Sequence, residues 1–309
     1  MFVAVAESGQ LLAASTQLHL SQPAASRQLQ ALEAELGVSL FHRGGRQLQL
    51  TAEGADLLRQ SRHLLAAAEL LVERARALRG GVTGTLRVSA TPHVIAGVLA
   101  DFLSAHRRRH PGVEVQLVEG GAAQQPERLE SGEAHLAIMP TGDERFFGSV
   151  LYPVHGLAAL ASGHRLAHRA TLDVAELADE RLLVLRREFG SRAWFDRACE
   201  IARIRPTVRL ESAAPQTLVR LAAADYGIAV IPSTAAVETQ GVRFVPLVSS
   251  GQSLGRWSMV AWDRSRRLPQ YAAEFVDELV AHSRNAGPGK ALTRRAPPLA
   301  QPDALPRQS

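Results

Sequence analysis

The residues best placed to do chemistry lie between Leu11 and Thr51. Apolar positions 11, 14 and 18 mark one short helical pattern, and a break follows at His19-Leu20-Ser21. A second pattern starts at Ser21, an N-cap residue type, with Pro23 tolerated in its first turn. Its apolar stripe is Ala25, Leu29, Leu32 and Leu36, and Gly37 stands where a left-handed C-cap wants glycine. Gln22, Ser26, Arg27 and Gln30 fall on the other face. An amide can bond a base edge bidentately, and a hydroxyl or guanidinium can reach a phosphate or a guanine. The free N–H groups of the first turn suit a phosphate. Two short helices joined by about three residues make a helix-turn-helix, whose second helix is built to enter a major groove. Strand-like residues from Leu40 to Leu50 then flank Gly44-Gly45, a hairpin wing that would set Arg43 and Arg46 beside a duplex. The expected DNA contacts are therefore Ser21, Gln22, Pro23, Ser26, Arg27, Gln30, Arg43 and Arg46.

Other reactive residue types fit their motifs poorly. Gly251-Gln252-Ser253-Leu254-Gly255 matches the G-x-S-x-G of a hydrolase nucleophile elbow, but that chemistry needs a helix after the serine, and Arg256–Trp262 reads as a strand. His106/His110 and His164/His168 have the i,i+4 spacing of helical metal ligands. Neither pair encloses the glutamate of H-E-x-x-H, and Arg107-Arg108-Arg109 disfavours a cation, so both read as solvated faces with no metal. The single cysteine, Cys199, excludes an intramolecular disulfide and reads as a buried helical thiol among Phe195, Ala198 and Ile201. No cofactor motif is present.

These residues need elements to position them. Leu57, Leu64, Leu71 and Leu78 recur every seven residues, with Ser61, Ala68 and Ala75 as a small-residue row and Leu58, Leu65 and Val72 as a third. Sustained heptads specify a helix–helix seam, here a dimer seam along one helix from Thr51 to Arg79. A dimer is also what two operator half-sites require. Gly80-Gly81-Val82-Thr83-Gly84 breaks this helix as a hinge. Strands and helices alternate thereafter. Strands are expected at Thr85–Ala90, Val113–Val118, Leu136–Met139, Val154–Ala161, Leu182–Leu185, Val208–Glu211, Ile228–Ile231 and Trp257–Trp262. Helices are expected at Pro92–His110, Pro126–Ser131, Ser191–Ile204, Pro215–Ala224 and Pro269–Ser283. Such alternation implies parallel sheets in an α/β fold.

Composition agrees. A chain of 309 residues has room for two or three domains. No apolar run is long enough to span a bilayer, and Glu7 interrupts the first segment, so neither membrane nor signal peptide is expected and the setting reads as cytoplasmic. The net charge of +5 permits nucleic-acid binding without demonstrating it, since residues 1–50 balance three Arg against three Glu. Beyond Asn285, five prolines and scattered basic residues read as a disordered tail, 284–309.

Ser21-Gln22-Pro23-Ala24-Ala25-Ser26-Arg27-Gln28, with Leu32-Glu33, Glu35-Leu36-Gly37, Leu40-Phe41, Arg43, Arg46 and Leu50-Thr51-Ala52-Glu53-Gly54, closely resembles the N-terminal signature of the LysR-type transcriptional regulators. The overall pattern continues to about residue 283. Family members usually carry several more residues before the equivalent of Phe2, so the chain is expected to start inside the first helix. The resemblance implies a winged helix-turn-helix (1–51) and a linker helix (52–79). A two-lobed effector domain like a periplasmic binding protein (85–283) would follow. Lobe I would cover about 85–152 and 256–283, lobe II about 155–250, with crossovers near Tyr152–Gly156 and Ser250–Arg256. It further implies a homodimer or homotetramer on double-stranded promoter DNA, contact with RNA polymerase, and no enzyme activity. A free-standing solute-binding protein has no use for residues 1–79.

Open α/β sheets bind ligands beyond the carboxyl ends of their strands, where helix N-termini favour anions. Those places are Thr91-Pro92-His93, Gly120-Gly121-Ala122, Gly190-Ser191-Arg192 and Ser212–Gln216. Thr91, Ser191 and Gln216 can donate hydrogen bonds, and Arg192 can pair with a carboxylate. By resemblance the cleft holds a small anionic effector, with Thr91, His93, Gly121, Ala122, Ser191, Arg192 and Gln216 as its expected ligands. Relatives often carry hydroxyl residues at the positions of His93 and Ala122.

Overall fold

The structure is a computed structural model that describes residues 1–42, 48–77, 84–235, 239–285, 287 and 289–302. The wing-tip arginines Arg43 and Arg46, the heptad position Leu78 and the hinge 80–83 lie outside the described residues. The chain forms two compact units, an N-terminal one and a larger α/β one.

In the first unit, α1 (Phe2–Ser8), α2 (Leu11–Gln17), α3 (Gln22–Leu36) and the long α4 (Ala52–Ala77) surround one small core. Phe2, Val5, Ala14, Leu29, Leu40, Phe41 and Leu58 fill it, with the Phe2 and Phe41 rings meeting edge to face at 5.7 Å. His19 takes φ 54 in the α2–α3 turn, which lets the Leu20 amide reach the Ser15 carbonyl. The wing begins and ends as expected: Phe41 bridges Leu50, and the His42 amide donates to the Gln49 carbonyl at 2.9 Å. Glu33 on α3 fastens it, its carboxylate accepting from the Leu40 and Phe41 amides at 2.7 and 3.3 Å. Gly54 is obligatory here, because a Cβ would stand 2.1 Å from the Leu40 carbonyl oxygen.

The larger unit opens with β1 (Gly84–Ala90) and α5 (Pro92–Val94), which runs through one wide π-type turn, Ile95–Leu99, into α6 (Ala100–Arg109). Next come β2 (Val113–Glu119), a 3-10 turn at Ala122–Gln124, α7 (Gln125–Ser131), β3 (Leu136–Pro140) and β4 (Phe146–Ala161). Lobe II holds β5 (Leu172–Asp173), β6 (Arg181–Leu185), α8 (Gly190–Ile201), β7 (Thr207–Ser212), α9 (Pro215–Ala223), β8 (Ile228–Pro232), β9 (Val242–Ser249) and β10 (Gln252–Ser253). The chain returns to lobe I through β11 (Gly255–Asp263) and α10 (Gln270–Asn285).

The strand order is β2-β1-β3-β11-β4-β8-β6-β7, with β9 also on β4. The sheets are mixed rather than parallel throughout. Pairs β1/β2, β1/β3, β6/β7 and β6/β8 are parallel, but β11 and β4 run antiparallel to their neighbours. Strands β3 and β4, each antiparallel to the β11 between them, run parallel to each other and are joined by the five-residue link 141–145. The first crossover is not a loop: β4 runs on through it, leaving β11 at His155 and taking up β8 at Gly156. Helices cover both faces of each sheet. Leu86, Val88, Phe102 and Phe275 lie in the core of lobe I, while Leu160, Val184 and Phe195 on one face and Leu157, Leu183 and Leu218 on the other fill lobe II.

Of the segment expected to be a disordered tail, residues 303–309 lie outside the described residues, and the stretch 289–300 is held in place. Leu292 packs beside the Leu157–Leu218 core. Ser253 Oγ donates to the Pro297 carbonyl, and Trp257 Nε1 donates to the Ala300 carbonyl at 2.9 Å. One hydroxyl and one indole donor at the β10–β11 corner give the proline-rich segment partners that its own N–H-poor backbone cannot supply.

Candidate functional site

Helix α3 is capped as its sequence requires. Ser21 is extended (φ −74, ψ 147) and its side chain accepts from the Ala24 amide, Pro23 sits in the first turn, and Gly37 ends the helix at φ 70. Ala25 and Leu29 are buried and Leu32 half-buried, so the opposite face is fixed outward. Ser21, Gln22, Pro23, Arg27 and Gln30 are exposed there, and Ser26 is half-buried. Leu36, expected in the stripe, is 45% exposed because the helix ends beyond the core. The arrangement offers two amides, a guanidinium and a hydroxyl on one free helix face behind a free N-terminus, the equipment for reading a groove.

Helix α4 divides in two. Leu58 is buried, and the partly buried Leu57 packs against the first unit's core. Farther along, Leu64 is 73% and Leu71 71% exposed, with Leu65 and Val72 half in water beside them. This is an apolar row with no partner among the described residues of its own chain.

Between the lobes lies a cleft of about 530 Å³, part of it open to solvent. It gathers Thr91, His93, Ala122 and Ser191 from the expected set. Thr91 Oγ1 and His93 Nε2 share a hydrogen bond at 3.1 Å. Burial pulls the His93 pKa down to about 4, so its imidazole is neutral. Gly121 stands just outside, its Cα facing the Glu188 carbonyl across the lobes. Gln216 is exposed on α9 and does not line the cleft.

Arg192 requires correction. Instead of facing a ligand it is buried on lobe II, donating to Asp196 (2.7 Å), Glu211 (2.8 Å) and the Leu185 carbonyl (2.8 Å). Burial opposes its charge, but the bonds to the two carboxylates outweigh that and raise its pKa. Helix periodicity explains the miss: Ser191 and Trp194 point to the cleft, which turns Arg192 toward β7.

Sequence reasoning missed the aromatic walls, Tyr152, Phe189, Trp194 and Trp257, and the hydroxyls of Thr234 and Ser258. The Tyr152 hydroxyl is buried without a hydrogen-bond partner of good geometry, and burial raises its pKa. Proximity of Trp257 to the β10–β11 crossover was the one available signal. No Arg, Lys, Asp or Glu is among the lining residues.

The reactive decoys resolve in the same way. Ser253 lies in the β10 pairing with β9 and continues into β11, with no helix behind it, and its Oγ is engaged by Pro297. Burial pushes the Cys199 thiol up to about 11, with Asp196 adding to the effect. His106 is not on a solvated face: it is buried against Phe102 and Phe275, and it meets Glu278. His164 lies near Glu180 at 3.6 Å. No helix among the described residues is long and apolar enough to cross a membrane.

A groove-reading helix with a wing in one unit, and a two-lobed α/β cleft in the other, define a ligand-responsive DNA-binding protein. The chain belongs to the LysR family: residues 1–55 match the bacterial regulatory helix-turn-helix protein of the lysR family, and residues 79–284 match the LysR substrate binding domain. It is a LysR-type DNA-binding transcription regulator with an effector-binding domain. The regulator IlvR of Caulobacter vibrioides is 34% identical over 258 residues, 80% of this chain and 86% of that one. The structure of full-length CbnR complexed with its target DNA is 27% identical with a TM-score of 0.62, covering 91% of this chain and 97% of that one. A full-length OxyR variant from Pseudomonas aeruginosa shares the fold at a TM-score of 0.71 and 22% identity, over 90% and 94% of the two chains.

Proposed function

We propose that the protein reads a two-half-site operator through α3, as a homodimer or a tetramer of such dimers, and acts in the cytoplasm on transcription by RNA polymerase without catalysing a reaction. The observation that carries this is the split of α3: Ala25 and Leu29 inside, Gln22, Arg27 and Gln30 outside. The wing arginines Arg43 and Arg46 would add phosphate contacts, and the similar regulator CbnR, solved with its target DNA, supports DNA docking. Arg27→Ala and Gln22→Ala should each weaken operator binding by about 1–3 kcal/mol, or about 5- to 150-fold, at one fixed salt concentration, leaving folding intact. Unchanged affinity in both would remove this helix from the interface.

The effector we infer differs from the anion suggested by the sequence. Its cleft has aromatic walls, a neutral histidine and several hydroxyls, and the one candidate cation, Arg192, is committed elsewhere. A small molecule with a ring-sized apolar body and hydroxyl, carbonyl or amide groups fits this lining, its polar end at Thr91 and Ser191. A thermal-shift panel pairing aromatic acids with their amides and alcohols should favour the uncharged members. A consistent preference for the acids would refute the reading.

A further inference from the structure

The pair His106 and His110 is joined by a group far away in sequence. Their i,i+4 spacing puts both imidazoles on one face of α6, where the rings stack with centroids 4.5 Å apart and 27° between planes. Glu278 arrives from α10, its Oε2 2.8 Å from His106 Nδ1 and its Oε1 2.8 Å from His110 Nε2. One ligand atom from each of the three lies within 4.8 Å of the others, and no second group of three such residues occurs among the described residues. The two helices are locked together beneath the cluster: Phe102 meets Phe275 edge to face at 5.0 Å, and His106 meets Phe275 at 4.9 Å.

We propose that His106, His110 and Glu278 form a divalent-metal site, suited to zinc, that clips α6 to α10. Two imidazole nitrogens and a carboxylate are a donor set of the hardness zinc prefers, and three protein ligands leave a fourth position for water. His110 and Glu278 reach the surface, so an ion can enter, while buried His106 anchors the site. Glu274 stands nearby, 3.9 Å from His110 Nδ1. The ion's competitor is Arg109, whose guanidinium lies 2.8 Å from Glu278 Oε1; it is half exposed and free to swing into water. None of the three ligands lines the effector cleft, so the site stands independently of the proposed effector.

The test is zinc titration of the full-length protein at neutral pH against a competing chromophoric chelator, with melting temperature as a second readout. The wild type and a His164→Ala control should bind one equivalent more than Glu278→Gln or His110→Ala, and zinc should raise the melting temperature only in the first two. Arg109→Ala should bind that equivalent several-fold more tightly. Glu278→Gln preserves shape and carries the test if His110→Ala fails to fold. A wild type that binds no more zinc than Glu278→Gln, or loss of the equivalent in Arg109→Ala, would overturn the proposal and leave Glu278 as a hydrogen-bonded brace.

Discussion

If α4 pairs with a second copy, replacing Leu64 and Leu71 together by alanine should take the assembly apart. Both side chains keep about seven-tenths of their surface in water within the protomer, 73% and 71%. Fully burying a leucine stabilises by about 1.5–3 kcal/mol, so burying the exposed part at a seam supplies about 1–2 kcal/mol each. Two leucines from each of two chains give about 4–8 kcal/mol, of which alanine retains roughly a third. The loss of about 3–5 kcal/mol raises the dimer dissociation constant about 10²- to 10⁴-fold. Alanine is the best helix former, so α4 itself should survive, as far-ultraviolet circular dichroism would show. Sedimentation velocity across a wide concentration range reads the change directly. Leu57→Ala is the contrast, because Leu57 packs on its own unit and should lower stability without lowering mass. A double variant that sediments like the wild type at every concentration would refute the seam.

Other outcomes follow from the larger unit. Arg192→Ala should cost about 1–2 kcal/mol of stability, from the charge-assisted bond to the buried Leu185 carbonyl, while leaving the ligand preferences of the cleft unchanged. Lost ligand response at unchanged stability would return Arg192 to the cleft. Burial pulls His93 and His135 down to about 4, with Arg87 and Arg266 adding to the shift at His135. Unfolded, both titrate near 6.5, so below that pH only the unfolded chain takes up their protons. Their contribution is whole above about pH 6.5 and drains away as pH falls toward 4, up to about 3 kcal/mol per histidine. Denaturant unfolding at a series of pH values should show His93→Gln/His135→Gln less acid-sensitive than the wild type; parallel curves would contradict the assignment.

Local signals made the first unit legible. Ser21, Pro23 and Gly37 mark the ends of α3 through their own backbone needs, and Ala25 and Leu29 mark its inner face. What sequence could not carry was partnership at long range. The spacing of His106 and His110 was visible, but Glu278 lies 168 positions beyond His110. Arg192 could be placed at a strand end, yet Glu211 on the adjacent strand decides where its charge goes. The expectation of a free tail failed similarly, because prolines say only that a segment makes few bonds of its own, and Ser253 and Trp257 supply them from outside. Strand β9 was not among the expected strands; it carries Pro246, which lacks an N–H to give to a ladder, paired opposite Leu157.

Strand β4 also limits how this protein can vary over generations. Insertions and deletions collect in loops, where a changed length can be absorbed. Here one uninterrupted run of backbone is paired with β11 along its first part and with β8 and β9 along its last. Removing a single codon between Phe146 and Ala161 would turn inward-facing residues outward on one side of the lesion, in whichever lobe yields. Recombination that swaps one lobe for a relative's has no neutral seam to cut at along this strand. The two lobes are therefore expected to be inherited as a pair, with length changes confined to the turns between other elements.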